Sequence, residues 1–245
     1  MKKETKRTMG SNVYGVVLAG GIGSRMGNIE KPKQFMEIGG KPIIVHTIEK
    51  FVVNPTFERI IVLSPRQWMN YTQDVIRRYI PMSSRIDVIQ GGETRNETIM
   101  NSIRHIEKNY GLDEDTVIVT HDSVRPFVTH RILEDNIRYA KEMGACDTVI
   151  PATDTIVESA DNKQITSIPN RSKMYQGQTP QSFRAKKLRD VYMALTEEEK
   201  AILTDACKIL VLKGEPVYLV EGEVFNIKIT YPHDLRVAES LLGGN

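Results

Sequence analysis

Short apolar runs alternate with amphipathic stretches along nearly the whole chain, and this alternation constrains the fold more than any other feature. The apolar runs predict strands at Val13–Ala19, Arg59–Ser64, Ile86–Gln90, Thr116–His121, Thr148–Ala152 and Val217–Val220. The stretches between them predict helices at Pro42–Val52, Gln67–Tyr79, Arg95–Lys108, Arg131–Met143, Ala185–Ala194 and Asp234–Leu242. Continuous apolar strands separated by helices are typical of an α/β fold, with a mostly parallel sheet covered by helices on both faces.

The chain has 245 residues, which suits one large α/β domain. We expect a flexible tail over residues 1–12 and a single domain over residues 13–245. Residues 154–178 depart from the alternation, because they are polar and rich in Ser, Asn, Lys and Thr. They predict an extended arm that leaves the sheet, and docking of this arm on a second subunit would explain why it is ordered.

Composition excludes several classes of protein. The formal net charge is only +2, which gives no reason to expect nucleic acid or a membrane surface as a partner. No apolar run approaches the roughly 18 residues that a membrane span requires. The two cysteines, Cys146 and Cys207, are far apart and form no C-x-x-C motif, which favours a reducing compartment. The basic start lacks a signal-peptide cleavage site, so we expect a cytoplasmic protein.

The first candidate site follows the first predicted strand, in the stretch LAGGIGSRMGNIEKPKQF. Its backbone elements are Ala19, Gly20, Gly21 and Gly23, and its cations are Arg25, Lys31 and Lys33. Glycines at the carboxyl edge of a sheet let successive N–H groups form a nest for anionic oxygens. Arginine and lysine add full positive charges. This stretch therefore predicts a phosphate-binding site.

Better-known signatures are absent from the sequence. The dinucleotide motif G-x-G-x-x-G would need glycine at Met26, and no G-x-x-x-x-G-K-[ST] string occurs. The five histidines have no metal-ligand spacing, and no serine lies in G-x-S-x-G. Phosphoryl chemistry carried by cations, backbone amides and magnesium is the class that remains.

Two more clusters follow predicted strands. In THDSVRPF, Asp122 is placed to hold Mg²⁺ or a ribose hydroxyl and Arg125 to face a phosphate, unless the two form only a local ion pair. In GGETRNET, Gly91 and Gly92 allow close approach of a planar ligand, and a helix beginning near Arg95 offers a positive N-terminus. An ordinary turn with a capped helix is the alternative for this second cluster.

The segment EVFNIKITYPHDL places Asn226 and Lys228 at alternating positions, so we expect both side chains to point the same way. A lysine between isoleucines would be partly buried unless it is paired with an anion. Further polar candidates, each more often a surface or capping residue when taken singly, are Thr155, Arg171, Thr179, Thr204 and Asp205.

In combination, these motifs resemble the cytidylyltransferases that act on polyol phosphates, which include the methylerythritol 4-phosphate and ribitol 5-phosphate enzymes. The matching strings occur in the family's order from about Val13 to Leu241: LAGGIGSRMG, KPKQF, GGETRNETI, HDSVRPF, PATDTI, QTPQSF and NIKIT. The resemblance implies a Rossmann-like nucleotidyltransferase fold, CTP as co-substrate and a Mg²⁺ requirement. It also implies a homodimer in which the arm of one subunit completes the polyol site of the other.

The resemblance further implies roles for individual residues. The catalytic group that would contact the CTP phosphates is Arg25, Lys33 and Lys228. The nucleotide-binding group is Ala19, Gly20, Gly21, Gly23, Gly91, Gly92, Arg95, Thr98 and Asp122, with Asp122 also the metal ligand. The group assigned to the polyol phosphate is Arg125, Thr155, Arg171, Thr179, Thr204 and Asp205.

The stretch Thr204–Lys208 bears on the choice of acceptor. Methylerythritol phosphate enzymes commonly carry T-D-[DE]-A-S, whereas this chain has T-D-A-C-K within LTDACKI. That difference favours D-ribitol 5-phosphate, with CDP-ribitol for wall teichoic acid as the product. The alternative is methylerythritol 4-phosphate in isoprenoid synthesis. A non-catalytic nucleotide-binding module and a nicotinamide oxidoreductase are rivals from other classes. The retained cations argue against the former, and the failed dinucleotide motif argues against the latter.

Overall fold

The structure is a computed structural model that describes residues 12–21, 31–81 and 83–243. Gly23, Arg25 and residues 1–11 of the predicted tail lie outside these ranges. The strands are β1 Val13–Leu18, β2 Glu37–Ile38, β3 Lys41–Pro42, β4 Arg59–Ser64, β5 Ile86–Gln90, β6 Val117–Asp122, β7 Ala145–Pro151, β8 Tyr175–Arg184 and β9 Tyr218–Glu221. The helices are α1 Ile43–Val52, α2 Met69–Tyr79, α3 Arg95–Asn109, α4 His130–Met143, α5 Ala185–Met193, α6 Glu197–Ala201, α7 Cys207–Val211 and α8 Pro232–Gly243.

Seven strands form one sheet in the order β5-β4-β1-β6-β8-β7-β9, and β2 and β3 pair separately. All pairings in the large sheet are parallel except the two made by β8, which is antiparallel to both β6 and β7. The predicted mostly parallel sheet of a Rossmann-like nucleotidyltransferase is therefore confirmed. The carboxyl ends of β1, β4, β5 and β6 meet at one edge, which prepares the position of a site.

Strand β8 was not predicted. Its sequence YQGQTPQSFR has two aromatic residues far apart and no β-branched run, and a proline inside it argues against a central strand. In the fold it lies between β6 and β7, with Gln181 opposite both Thr120 and Asp147. The last four residues of the predicted arm, 175–178, belong to this strand. The remainder up to residue 174 is mostly exposed, and its regular structure is an isolated bridge between Glu158 and Ser167 and a 3-10 turn over Arg171–Lys173.

Two hydrophobic cores cover the two faces of the sheet. One packs α1, α2 and α4 against it, and the other packs α3, α5 and α7. Gly15 in β1 is required by this packing, because a Cβ atom there would lie 2.6 Å from the ring of Phe51. A third, smaller cluster brings Val124, Ile229 and Ala238 together and ties α8 to the loop after β6. None of the helices in the described ranges is long and apolar enough to span a lipid bilayer.

A polar cluster lies near the amino ends of β4 and β5, at the opposite end of these strands from their carboxyl edge. The carboxylate of Asp87 accepts hydrogen bonds from Arg59 Nη2 at 2.6 Å and Tyr110 Oη at 2.5 Å, and it lies 2.9 Å from His105 Nε2. Burial opposes ionisation of Asp87, but its hydrogen bonds with Tyr110, Arg59 and His105 outweigh burial and lower the pKa of the carboxyl.

We expect Asp87→Asn to lower the free energy of unfolding by about 2 kcal/mol, because charge-assisted hydrogen bonds to three partners are weakened. Urea unfolding followed by circular dichroism measures this loss. Asp74→Asn is the control, because Asp74 is exposed and pairs only with Arg77 at 3.4 Å. A change within about 0.5 kcal/mol for both variants would show that the cluster adds no stability.

Candidate active site

A cavity of about 330 Å³ opens at the carboxyl edge of the sheet. Its lining comes from the ends of β1 and β6, the turn before α3 and the segment before α8. The lining residues are Leu18, Gly20, Gly21, Lys33, Gln34, Gly92, Glu93, Thr94, Arg95, Thr98, Asp122, Ser123, Val124 and Lys228. A second hollow of about 600 Å³ shares Gly20, Gly92 and Glu93 with it. The combined space suits a ligand of nucleotide size.

Asp122 is the centre of charge in this cavity. Its carboxylate lies 2.8 Å from Lys228 Nζ, 3.8 Å from Arg95 Nη2 and 3.9 Å from Arg125 Nε. Three cations thus surround one carboxylate whose side chain is 11% exposed. Lys33 adds a further charge to the lining and is itself buried. The excess of positive charge suits a polyanion such as a triphosphate.

The environment keeps Asp122 ionised and its neighbour His121 neutral. Burial is the largest effect on Asp122 and opposes ionisation, but the charges of Arg95, Lys228 and Arg125 outweigh it and hold the pKa below its usual range. Burial lowers the pKa of His121 to about 4. The carboxylate is therefore available as an anion across the physiological pH range.

The glycine turn after β1 contributes to the cavity as predicted from its position. Gly20 and Gly21 line the cavity, while Ala19 is buried and its carbonyl accepts a hydrogen bond from Gln34 Nε2 at 2.7 Å. Gln34 follows Lys33 in a 3-10 turn over Lys33–Phe35, so this bond holds the lysine beside the glycines. The remaining predicted members of this motif, Gly23 and Arg25, lie outside the described residues.

The second glycine turn contains the capped helix given above as the alternative for this cluster. The N–H groups of Gly92, Glu93, Thr94 and Glu97 are all hydrogen-bonded to side chains of Thr98, Thr94 or Glu97, and Thr94 with Glu97 forms a capping box. The positive start of α3 is therefore occupied by a carboxylate of its own chain and is not free for a phosphate. A neutral ligand such as a base fits this part of the cavity better.

Packing also explains a glycine in this turn. A Cβ atom on Gly92 would lie 2.5 Å from Glu97 Cβ and 2.9 Å from backbone atoms of α3. Gly92 is thus required for contact between the turn and its own helix, in addition to lining the cavity. Gly91 lies beside Thr98 and lines the second hollow. The Thr98 hydroxyl donates to the Thr94 carbonyl at 2.8 Å, so it shapes the turn from within.

Asn226 and Lys228 both contact the neighbouring ends of β6 and β8, and of the two Lys228 lines the cavity. Lys228 Nζ reaches Asp122, whereas Asn226 is fully buried and donates through Nδ2 to Gln178 Oε1 at 3.0 Å and to the Thr179 carbonyl at 2.9 Å. Residues 222–231 form no strand in the structure, so the extended segment that the alternation predicted is absent there.

Arg125 and Thr179 lie behind the cavity. Arg125 is 9% exposed and donates through Nη1 to the Asn226 carbonyl at 2.7 Å, which matches the alternative of an internal role more closely than contact with phosphate. Thr179 is buried, with its Oγ1 2.9 Å from His121 Nδ1 and 3.2 Å from the Asp122 amide nitrogen, which donates to it. Neither residue lines the cavity described above.

The other residues predicted to bind the acceptor lie elsewhere on this chain. Thr155 and Arg171 are exposed, and Arg171 Nη1 donates to the Thr153 carbonyl at 3.1 Å. Thr204 is exposed, and Asp205 Oδ1 accepts a hydrogen bond from the Lys208 amide at 2.9 Å at the start of α7. None of the four lines the cavity around Asp122. Their assignment to the acceptor stays a prediction.

Sequence reasoning missed residues whose role depends on tertiary contacts. Gln34 occurs in the quoted KPKQF string, but only the structure shows its hydrogen bond to Ala19. His121 was considered only as a metal ligand, although its position in THDSVRPF places it next to Asp122. Ser123 and Val124 line the cavity and lie inside the same string. Proximity to a strand end was the one signal that pointed to these residues.

The surroundings of another carboxylate, that of half-buried Asp147 in β7, disfavour its negative charge. Burial is the main cause that raises its pKa to about 6, although hydrogen bonds with Gln181 and Cys207 act in the opposite direction. A raised pKa in the folded state means that the contribution to stability is fully present below the unfolded pKa of about 3.9 and is lost as the pH rises from there through about 6.

We therefore expect Asp147→Asn to be more stable than the wild type at pH 8, by about 2 kcal/mol, because the variant avoids burying a charge. The difference should be clearly smaller at pH 4.5 and should vanish only below about pH 3.9, the ordinary aspartate pKa, because there Asp147 is protonated in both the folded and the unfolded protein. Urea unfolding of both proteins at the two pH values measures this. An equal difference at both pH values would mean that ionisation of Asp147 is not the cause.

No group of three or more metal-binding side chains occurs among the described residues. The carboxylates that line the cavity are those of Asp122 and Glu93. One carboxylate beside a phosphate site still fits Mg²⁺, which is commonly bound by one or two carboxylates together with substrate oxygens. Asp122 therefore fits the predicted ion, provided that the substrate supplies the other ligands.

Comparisons with known proteins agree with this geometry. A family model described as IspD, 2-C-methyl-D-erythritol 4-phosphate cytidylyltransferase, matches residues 13–244. The solved 2-C-methyl-D-erythritol 4-phosphate cytidylyltransferase of Francisella tularensis is 28% identical, with a TM-score of 0.77 over 93% of this chain and 98% of that one. The 4-diphosphocytidyl-2C-methyl-D-erythritol synthase of Anaerococcus prevotii is 26% identical, with a TM-score of 0.76 over 94% and 96% of the two chains. This chain belongs to the IspD family of cytidylyltransferases.

Proposed function

We propose that the protein transfers CMP from CTP to a polyol phosphate and releases pyrophosphate. The observation that carries the proposal is the pairing of Arg95 and Lys228 with Asp122, with Lys33 lining the same cavity of nucleotide size. A phosphate oxygen of the acceptor attacks the α-phosphorus of CTP. The bond from that phosphorus to the bridging oxygen breaks, and its electrons leave with pyrophosphate.

The attacking oxygen is already an anion, so the reaction needs no general base. What it needs is compensation of the negative charge that accumulates when two phosphorylated molecules meet. Lys33 and Lys228 are placed to supply this charge in a partly buried site, where electrostatic stabilisation is strong. Positioning of the two reactants provides the other large contribution to the rate.

For the metal, Asp122 is the residue that would hold Mg²⁺. The ion would neutralise charge on the phosphates and orient them. Removal of divalent ions with EDTA should abolish pyrophosphate release, and added Mg²⁺ should restore it. Full activity in EDTA would remove the ion from the proposal.

Methylerythritol 4-phosphate is the first candidate acceptor. The matching family model and the similar solved structures carry that name, and they align over nearly the whole chain. The preference for ribitol phosphate, which the stretch Thr204–Lys208 suggests, has no support in these comparisons. The corresponding function would be in isoprenoid synthesis.

D-Ribitol 5-phosphate is the second candidate, because one observation still favours it. Ala206 occupies the position that is Asp or Glu in the T-D-[DE]-A-S string, and it is fully buried in the core beside α7. An acidic side chain there would be buried, so this loop differs in packing from the methylerythritol pattern. The product would be CDP-ribitol for wall teichoic acid.

The deciding experiment is a side-by-side assay of pyrophosphate release with Mg²⁺, CTP and each acceptor. The preferred acceptor should show a kcat/KM at least about 10²-fold above the other, since a site that hydrogen-bonds a substrate hydroxyl discriminates strongly. A similar value for both would indicate a relaxed acceptor site. No pyrophosphate with any polyol phosphate would contradict the proposed function.

We further propose a homodimer in which the arm over residues 154–178 enters the site of the other subunit. On one chain the arm exposes Val157, Ile165 and Ile168 with relative accessibilities of 48%, 61% and 62%. Thr155 and Arg171 lie on this arm, outside the cavity around Asp122. Both facts are accounted for if the arm docks on a second copy of the chain.

We expect Arg171→Ala to raise the KM for the polyol phosphate by about 10-fold or more, with CTP affinity unchanged, because an arginine–phosphate contact is removed. Lys173→Ala is the control on the same arm. A complementation test then asks whether the arm crosses. If it does, Lys33→Ala and Arg171→Ala subunits together form mixed dimers with one intact site, and random pairing restores about a quarter of the wild-type sites. The assay uses the acceptor far below its KM, where the Arg171→Ala homodimer turns over slowly. If each arm serves its own subunit, the mixture shows no more activity than the two variants measured separately.

A further inference from the structure

Four residues behind the cavity form a closed ring of hydrogen bonds. His121 Nε2 lies 3.0 Å from the Arg125 carbonyl, and Arg125 Nη1 donates to the Asn226 carbonyl at 2.7 Å. Asn226 Nδ2 donates to the Thr179 carbonyl at 2.9 Å, and Thr179 Oγ1 closes the ring at 2.9 Å from His121 Nδ1. The four side chains are at most 9% exposed.

The partners determine where the protons lie. A carbonyl oxygen can only accept a hydrogen bond, so Nε2 of His121 carries the imidazole N–H proton and donates to the Arg125 carbonyl. Nδ1 of the neutral imidazole is then an acceptor, and the Thr179 hydroxyl donates to it. The Asp122 N–H donates to the same hydroxyl at 3.2 Å. The single proton of Thr179 is therefore used inside the protein and is not available to an acceptor phosphate.

This ring joins the two segments that carry Asp122 and Lys228 to strand β8. His121 and Arg125 flank Asp122 at the end of β6, Thr179 lies in β8, and Asn226 precedes Lys228 by two residues. A further bond, from Ile229 N to the Val124 carbonyl at 2.9 Å, attaches the same segment on the other side of Lys228. The backbone on both sides of the Asp122–Lys228 pair is thus held in place.

We propose that His121 and Thr179 are positioning residues that hold Asp122 and Lys228 in the geometry required for cytidylyl transfer. They touch neither the cavity nor the reacting atoms, and they act through the two charged residues. The inference rests on the proposed function, and it gives Thr179 a role different from acceptor binding. A displacement of about 1 Å at the charged pair is enough to cost about 10²-fold in rate.

The test is the matched pair Thr179→Val and Thr179→Ser. Valine keeps the shape and removes the hydroxyl, whereas serine keeps the hydroxyl. We expect Thr179→Val to lower kcat by about 10²-fold and to weaken Mg²⁺-dependent CTP binding about 10-fold, with little change in the KM for the acceptor. Thr179→Ser should restore both values to near the wild type. A raised acceptor KM with normal CTP affinity would assign Thr179 to the acceptor instead and would overturn the proposal.

His121→Asn, which keeps a polar atom near the Nδ1 position, tests the histidine side of the hydrogen-bonded ring. In the double variant, the fold-loss of kcat should be clearly smaller than the product of the fold-losses in His121→Asn and Thr179→Val. The reason is that both substitutions break the same hydrogen-bonded ring. Independent, multiplicative losses would contradict a connected ring. Circular dichroism of each variant shows whether it is folded.

A spectroscopic measurement tests the same ring without turnover. The ¹⁵N NMR spectrum of wild-type His121 should show the neutral tautomer with the proton on Nε2 at pH 7. A proton on Nδ1 or a charged imidazolium would overturn the ring. The CTP affinity of Thr179→Val, measured by calorimetry, is likewise determined without an acceptor. An inactive wild type would therefore count against the proposed function, while these two readouts would still decide the positioning role.

Discussion

Replacing Lys33 with alanine is expected to lower kcat by about 10²- to 10³-fold while the protein stays folded. Lys33 is buried at 8% exposure and lines the cavity, so its ammonium acts in an environment where water screens it poorly. The Gln34–Ala19 hydrogen bond, which positions the turn, does not involve the Lys33 side chain. The folded structure around the site should therefore persist in the variant.

The matched control for Lys33→Ala is Lys41→Ala. Lys41 carries the same charge eight residues away, but it pairs with Glu49 at 2.7 Å at the surface. Loss of a surface ion pair costs about 1 kcal/mol or less and should leave kcat unchanged. Steady-state assays of pyrophosphate release compare the two variants. Near-normal turnover of Lys33→Ala would remove this lysine from the mechanism.

The second large effect is expected for Asp122→Asn. The substitution keeps the size of the side chain and removes a negative charge that faces Arg95, Arg125 and Lys228. Breaking a buried ion pair from one side leaves uncompensated charge, so we expect a loss of about 3 kcal/mol in the free energy of unfolding. We expect kcat to fall by about 10²-fold or more, since both the position of Lys228 and the metal ligand change.

The pH dependence separates charge from shape for Asp122. Its pKa in the folded protein is lowered, so the stability from its ionised form is present above its unfolded value and is lost as the pH falls towards the folded value. The difference between the wild type and Asp122→Asn should thus be constant from pH 8 to 5 and shrink below pH 4 (about 3.9 being the ordinary value for aspartate). Added pyrophosphate should partly restore the stability of the variant, because an anion can replace the carboxylate. A pH-independent difference would mean that packing, not charge, is lost.

Local sequence signals predicted the parallel half of the sheet well. Strands β4 and β5 begin and end at the predicted residues, because their apolar runs are bounded by polar residues and turns. Asp122 and Lys33 were placed correctly in one cavity, since residues after parallel strands meet at one edge. Arg25 and Gly23 cannot be compared, as they lie outside the described ranges.

The remaining features depend on tertiary contacts that no local pattern encodes. Strand β8 is polar and contains proline, so only its pairing with β6 and β7 stabilises it as a strand. The ring through His121 and Thr179 exists only because β8 inserts beside β6. Both cases are long-range contacts that override a short-range preference.

The reversed direction of β8 has a consequence for how such an enzyme can diversify. An antiparallel strand brings its beginning, not its end, to the edge where CTP is expected to bind, so the polypeptide arrives there directly from the arm. Apart from Lys228, the residues assigned to CTP lie before about residue 125, while Thr155, Arg171, Thr204 and Asp205, which are assigned to the sugar alcohol, lie between residues 154 and 205. A lineage can therefore exchange one sugar alcohol for another by substitutions between residues 154 and 205, while the residues assigned to CTP stay unchanged.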